Sequence, residues 1–519
     1  MGRAASDDYR KDRPTRMPNV KMKRRARPAQ VFGLIAALTL AGAGFHAAFS
    51  AFAASNTYYV DGVNGSDSNP GTSRSQAWRT IQKAANTMAA GATVVVLASN
   101  YPERVSVTIS GSAGNPITYQ AEGTVVMKGF KIIASYITID GFEIANTDYV
   151  RWNREVSSGV YIKGAGVVIE NNYIHDCALD GIYMYGPPSD PTATHNCVLR
   201  NNRLYRNENA AIEVFGRDNV VEGNEVWGTV QCHPTLMAVE DMAPDNPNHV
   251  PCPYNGLFGF DADGIRFFGQ GHTFQSNYIH DILYGPLGLN PDIGDYNDNP
   301  HIDCFQTWAG QYYETAQNIL FDRNYCDNLQ SQAENENGHG FMLAGGANNL
   351  TIQNNIVRAY GGVNTGGSGG ANHLYIYSNL WIGSLSFNQF YPYALGLQST
   401  PYSIVKNNAL YDQAHNTITV TGDTTGQEID YNLAFNSNGS QPDCFRIDYA
   451  CQPLHAHDLW GVNPQFANPD ANDYHLEPSS PAIDVGSTLA SVVDDYDGNP
   501  RPRGAGFDIG AYEYGGPGR

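Results

Sequence analysis

The chain has 519 residues, enough to bury a large core, with 31 Lys and Arg against 51 Asp and Glu and eight cysteines. A formal net charge of −20 disfavours nucleic acid and anionic membranes as partners, because like charges repel. It also disfavours an anionic substrate unless basic side chains or bound cations reverse the field locally.

The N-terminus reads as an export signal. Lys21, Lys23, Arg24, Arg25 and Arg27 precede an uncharged apolar run over residues 31–52, and Ala51-Phe52-Ala53 supplies the small residues of a cleavage site. The expected signal peptide is 1–53, with Met17 and Met22 as alternative starts, and the expected location is extracellular. The signal takes ten Lys/Arg and three Asp/Glu with it, which leaves 21 basic and 48 acidic residues and a net charge of −27. All eight cysteines lie in the exported part, where an even number reads as disulfides. Sequence-near pairing is expected: Cys177 with Cys197, Cys232 with Cys252, Cys304 with Cys326, and Cys444 with Cys451.

Residues 78–90 carry helix-like periodicity and are expected to cap the N-terminal end of the folded domain. C-terminal to them an apolar residue, two further residues and an asparagine recur. The asparagines are Asn172, Asn202, Asn224, Asn277, Asn324, Asn355, Asn379, Asn408 and Asn432. Three residues before them stand Ile169, Leu199, Val221, Phe274, Phe321, Ile352, Ile376, Val405 and Ile429. Repeats spaced 20–50 residues apart mark a solenoid, and local alternation with period two makes the units strands. The aligned asparagines are expected at left-handed turns, bonded to one another up the stack. The predicted fold is all-β, a right-handed parallel β-helix with a short capping helix, over residues 54–472. Residues 473–519 lack the repeat and read as a C-terminal closure module. The final Gly515-Gly516-Pro517-Gly518-Arg519 carries no sorting tail, which favours a released protein.

Successive coils hold a comparable strand: Asp180-Gly181-Ile182-Tyr183, Ala210-Ala211-Ile212-Glu213, Asp263-Gly264-Ile265-Arg266, Asp303-Cys304-Phe305-Gln306 and His339-Gly340-Phe341-Met342. Side chains on a strand alternate faces. Ile182, Ile212, Ile265, Phe305 and Phe341 are then inward. Tyr161, Tyr183, Glu213, Arg266, Gln306 and Met342 form one outward column; Lys163, Tyr185, Phe215, Phe268 and Trp308 form the next. Aromatic faces beside carboxylates, an arginine and a histidine are what a sugar groove needs. Asp263, Arg266, Asp303 and His339 are the expected catalytic groups. Lys163, Tyr185, Glu213, Phe268, Gln306 and Trp308 are the expected substrate contacts, with Phe268 and Trp308 as the stacking floor. Insertions over 229–260 and 284–302 would wall this face. Asp261, Asp292, Asp295 and Asp298 offer oxygen ligands for calcium, with solvated acidic turns as the alternative. His175 and His280 repeat in Tyr-Ile-His-Asp turns and read as structural.

The stretches Tyr58-Tyr59-Val60-Asp61, Gly65-Ser66-Asp67 and Trp78-Arg79-Thr80-Ile81 resemble the start of secreted pectin-lyase-like β-helix proteins. Residues 480–486 and 497–513 resemble a module that closes many extracellular proteins. Asp261-Ala262-Asp263 with Asp303 is similar to the acidic strands of calcium-dependent pectate lyases. Phe268 stands where those carry the lysine base, with Arg266 as the nearby cation. Asp303-Cys304 and Gly338-His339-Gly340 resemble elements of the polygalacturonases, although their Arg-Ile-Lys element is missing. The resemblance implies a secreted polysaccharide-degrading enzyme, as a uronate-polysaccharide lyase or a glycoside hydrolase, acting as a monomer; a non-catalytic glycan binder is the competing reading.

Overall fold

The computed structural model describes residues 57–515, apart from 149, 151–152, 188–189, 191–193, 231–261, 284–301, 312, 331–337, 367–369, 384–392 and 414–416. The signal segment, Cys232, Cys252, Asp261, Asp292, Asp295 and Asp298 therefore lie outside the described residues.

The chain winds as a parallel β-helix with three faces, here B, C and A in the order each coil visits them. One coil runs Val168–Glu170 on B, Tyr173–His175 on C and Ile182–Met184 on A; the next runs Val198–Arg200, Arg203–Tyr205 and Ala210–Val214. Each strand pairs in parallel with its equivalents one coil before and after, so that Leu199 stands between Ile169 and Val221. Period-two alternation leaves every second side chain inside. Ile169, Leu199, Val221, Phe274, Phe321, Ile352, Ile376 and Val405 are fully buried in one continuous core. Stacking supplies this burial, since a single coil has nothing to cover its inner face.

The B–C corner carries the asparagines as an unbroken ladder. Each side-chain amide donates to the side-chain oxygen of the next, from Asn172 to Asn202 at 3.0 Å through to Asn408 to Asn432 at 3.0 Å. The left-handed residue is not the ladder asparagine but the one before it: Asn171, Asn201, Gly223, Ser276, Arg323, Asn354, Ser378, Asn407 and Tyr431 all have φ between 54° and 63°. That placement frees the ladder asparagine to point inward and bond along the stack.

A shorter ladder runs at the A–B corner, where Cys197 N–H donates to Asn219 and Asn219 N–H donates to His272 Nδ1 at 3.2 Å. The other ring nitrogen of His272 donates to the Phe268 carbonyl at 2.9 Å, which fixes a neutral tautomer. Burial pushes this imidazole down to about 4. A histidine with a depressed folded pKa contributes stability above its unfolded value of about 6.5, and that stability is lost as pH falls toward 4. The contribution is on the order of 3 kcal/mol. His272→Asn, which copies Asn219, is expected to retain the fold and flatten the decline in unfolding free energy between pH 6.5 and 4, measured by denaturant titration; an unchanged slope would contradict this assignment.

At the N-terminal end the helix is shorter than the periodicity suggested. Helix α1 spans Ile81–Ala85 and buries Ile81, Ala84 and Ala85. Trp78 is held outside it, bridged to Val60 and stacked on Tyr58 at 5.2 Å. Thr80 caps the helix, and the Glu103 carboxylate accepts from Ile81 N–H at 2.8 Å and Gln82 N–H at 3.1 Å. The sequence motifs of this region are thus accounted for by the cap.

The C-terminal segment runs back along the flank of the later coils. Arg323 donates to Asp494 at 3.1 Å, Arg358 to Asn472 at 3.1 Å and Asn407 to the Ser487 carbonyl at 2.8 Å. Tyr474, Ala511 and Tyr512 bury against Tyr325, Ile356, Leu380 and Ala409. Val492 and Phe507 bury against Tyr377, beside Tyr375 and Ile404, so among the described residues this packing occupies faces B and C and the corner between them, not face A.

Cys304–Cys326 and Cys444–Cys451 are disulfides, as expected. Cys177 and Cys197 are not: both are buried free thiols. Cys177 follows the C-face strand and its N–H bonds Asn207, whereas Cys197 precedes the next B-face strand and its N–H bonds Asn219. Nearness in sequence places them at different corners of the coil.

Candidate functional site

Face A is built from Val160–Ile162, Ile182–Met184, Ala210–Val214, Asp263–Phe267, Ile302–Thr307, Gly338–Leu343 and Gly361–Asn364. The expected register holds. Ile182, Ile212, Ile265, Phe305 and Phe341 are in line and fully buried. Tyr161, Tyr183, Glu213, Arg266, Gln306, Met342 and then Asn364 align on the outward side.

The strand entrances depart from simple alternation. The residue before each inward apolar one also faces the core: a Cβ on Gly264 would stand 2.6 Å from Ile279, and one on Gly340 would stand 2.4 Å from Val357. Cys304 holds this position in its own coil, and Ile279 and Val357 flank Cys326 in register, which is why Cys304 and Cys326 meet. Two consecutive inward residues turn the entrance residue back toward the outward column. Asp263 and Asp303 reach their partners through this local break.

Those partners form a buried chain. Arg266 Nε donates to Asp263 at 2.6 Å and Arg266 Nη1 to Asn209 at 2.6 Å. Asp263 also accepts the Asp303 N–H at 3.0 Å. Asp303 accepts from Gln306 at 3.0 Å and from His339 Nδ1 at 2.9 Å, and His339 Nε2 lies 3.2 Å from the Asn364 amide. The five residues Asp263, Arg266, Asp303, Gln306 and His339 therefore converge, as the register implied. All are buried, His339 at 8% being the most exposed. A buried pair such as Asp263–Arg266 gains from its mutual attraction but leaves a costly uncompensated charge if one partner is removed.

A second cluster adjoins the first through Asn209, whose amide donates to Asp180 at 2.7 Å. Helix α2, Arg154–Ser157, sends Arg154 across the face of Tyr183, 4.9 Å from the ring centroid, to both Asp180 and Glu213 at 3.2 Å each. Ser158 Oγ donates to Asp180 at 3.3 Å. Burial pushes Glu213 up to about 7; Arg154 opposes the shift, and Asp180, which shares a hydrogen bond with it, adds to it. The negative charge of one carboxyl disfavours ionisation of its neighbour, so Glu213 holds its proton to higher pH than a free glutamate. Burial works against the charge of Arg154, but Glu213 and Asp180 more than offset this and hold it well above its usual range.

The aromatic column differs from the expected sugar floor. Phe268 is fully buried, stacked on Phe215 at 4.7 Å and covered by Trp308 at 4.7 Å and Tyr313 at 4.8 Å. Its outward register is real, but Tyr313 lies over it, so Phe268 cannot stack on a sugar. Trp308 remains half-buried at the rim, with Arg266 5.4 Å from its ring centroid. Lys163 lies 4.2 Å over the Tyr185 ring and 3.2 Å from Asp190, so one face of Tyr185 is already taken. His175 and His280 sit on face C beside carboxylates, away from this site. Arg154, Tyr313 and Asn209 were not singled out by the sequence: Arg154 and Tyr313 lie in non-repeating segments, and Asn209 precedes a strand without a motif of its own.

Residues 88–250 match the family model described as right handed beta helix region. Among curated proteins, the uncharacterized protein YwoF of Bacillus subtilis is 32% identical over 136 residues, which are 23% of this chain and 29% of YwoF. The chain thus spans less than a third of the length of that relative. Among solved structures, XylC in complex with xylose superposes with a TM-score of 0.52 at 13% identity, over 88% of this chain and 99% of that one. Pectate lyase Pel9A superposes with a TM-score of 0.46 at 15% identity, over 88% and 96% of the two chains. At these identities the likeness is one of fold, and with the observed strand pairing it identifies the protein as a right-handed parallel β-helix.

Proposed function

We propose that this chain is a glycan-cleaving enzyme whose chemistry is carried by Arg154, Asp180 and Glu213 on face A. The supporting observation is the carboxyl pair: Glu213 is held up to about 7 beside Asp180, with one guanidinium bridging the two. A carboxyl that keeps its proton near neutrality can protonate a glycosidic oxygen, and Asp180, which shares a hydrogen bond with Glu213, helps to keep that proton in place. Trp308, half-buried at the rim beside Arg266, supplies aromatic surface on the same face.

Hydrolysis is favoured over lysine-type elimination. Lys163 is paired with Asp190, and Arg266 is held by Asp263 and Asn209, so neither is placed as a base. Arg154 is the most exposed member of the triad, at 22% of its side chain against 1% or less for the two carboxyls. A substrate would enter by displacing Arg154, which raises Glu213 further at the stage when its proton is needed. The chain Asp263–Asp303–His339 then serves as the buried support of the same face.

The test is incubation with a panel of neutral and uronate-containing polysaccharides, with reducing ends and the ultraviolet absorbance of unsaturated ends followed in parallel. Reducing ends without unsaturation are expected. Unsaturated ends appearing in step with cleavage would replace hydrolysis by elimination, and binding without cleavage would leave a glycan-binding protein.

A further inference from the structure

We infer that Arg104 is a positioning residue for the Arg154–Asp180–Glu213 cluster, because it fixes the turn from which Arg154 reaches the two carboxyls. The inference rests on the role proposed for that cluster. Arg104 lies on the long strand Thr93–Val107, three coils before Asp180, and touches neither carboxyl in its hydrogen bonds. Its guanidinium spends all three nitrogens on backbone carbonyls. Nε donates to Glu155 at 2.7 Å; Nη1 donates to Ser158 at 2.6 Å, with Gly159 and Lys128 at 3.4 Å; and Nη2 donates to Phe130 at 3.3 Å.

The two shortest of these bonds hold α2 at Glu155, within its only turn, and at its C-cap, Ser158. That helix has four residues, too few to hold itself, since a single turn fixes more backbone freedom than its own bonds repay. Its geometry must come from outside. The same Ser158 whose carbonyl binds Arg104 donates its hydroxyl to Asp180, and Arg154 begins the helix. Arg104 thereby sets two of the groups that surround the carboxyl pair.

The local backbone is shaped to admit it. Gly129 stands opposite Arg104 in register with φ of 123°, and a Cβ there would lie 2.0 Å from the Gly159 carbonyl and 2.9 Å from Arg104 Nη1. Burial pulls the guanidinium down to about 10, so a cation is kept here against desolvation. A planar fork with five donors can span carbonyls of two separate stretches of chain, 128–130 and 155–159; one ammonium on a flexible stem cannot. The carbonyls of Glu155 and Ser158 also crowd the end of α2 with negative dipoles, which a cation relieves.

The experiment reads the carboxyl itself. The infrared carbonyl stretch of a protonated carboxyl, identified as the band removed by Glu213→Gln, is titrated with pH in the wild type, Arg104→Lys, Arg154→Ala and the double variant. Arg154 lowers Glu213, so Arg104→Lys is expected to raise the midpoint by about one pH unit through loss of the guanidinium's placement. Arg154→Ala should raise it at least as far, and the double variant should add nothing to Arg154→Ala, as for two residues acting through one interaction. A folded Arg104→Lys with an unmoved midpoint, or a shift that adds in full to that of Arg154→Ala, would overturn the inference. If Arg104→Lys does not fold, Thr147→Val decides, because Thr147 Oγ1 holds the same turn through the Ser157 carbonyl at 2.6 Å. A raised midpoint supports the inference, and an unchanged one overturns it. No substrate is needed, so absence of glycan cleavage would refute the proposed function without touching this result.

Discussion

Glu213→Gln is expected to lower the rate of glycan cleavage by about 10²–10⁴-fold, the usual effect of removing a general acid. The unfolding midpoint should stay within a few degrees of the wild type. Glu213 is fully buried and held up to about 7 by that burial, so its ionised form is costly in the fold. The amide keeps the shape and an oxygen for Arg154 while removing the titration. A comparison of steady-state cleavage with thermal unfolding separates the two effects. Retained activity would move the chemistry away from Glu213, and lost activity accompanied by a large loss of stability would give the residue a structural role.

Asn277→Ala is expected to destabilise the protein by on the order of 4 kcal/mol. Asn277 stands mid-ladder. Its side-chain oxygen accepts from the Asn224 N–H at 3.1 Å and the Asn224 amide at 3.0 Å, and its own amide donates to the Val221 carbonyl at 2.9 Å and to Asn324 at 3.0 Å. Alanine strands the Asn224 N–H and one lone pair of the Val221 carbonyl in a buried corner, and leaves one Asn224 amide hydrogen with only its 3.2 Å contact to the Glu222 carbonyl. Each such group costs roughly 1–3 kcal/mol, against only about 1 kcal/mol for the net value of one bond. Urea unfolding measures the change, and a loss below about 1 kcal/mol would show that the ladder marks the corner without holding it.

The solenoid was legible because its signals are periodic. The apolar-x-x-Asn spacing and the two-residue alternation both follow from stacking, and both survive as the ladder and the inward column. The candidate site was legible only as far as that periodicity reaches. It placed Arg266 and Gln306 in one column and brought Asp263, Asp303 and His339 together with them. It placed Glu213 in that column too, as a substrate contact, because register gives position and not protonation. Arg154 comes from a four-residue helix in a non-repeating segment, and no spacing points to it. Phe268 failed for a different reason: outward is not the same as exposed, and Tyr313 covers it. Cys177 and Cys197 failed because coil geometry, not sequence distance, decides which thiols meet.

The shared carboxyl pair is tested most directly by the pH dependence of kcat/KM, which reports the groups of the free enzyme. If Glu213 must carry a proton, activity falls as pH rises through its pKa, held up to about 7. Asp180 helps to hold it there, and Arg154 divides its charge between the two. Asp180→Asn removes the neighbouring negative charge and leaves the guanidinium to Glu213 alone, and both changes lower the Glu213 pKa. The alkaline limb of the profile is therefore expected to move down by about one pH unit or more in Asp180→Asn. A limb that stays in place or moves up would contradict the assignment of Glu213 and Asp180 as one proton-sharing pair.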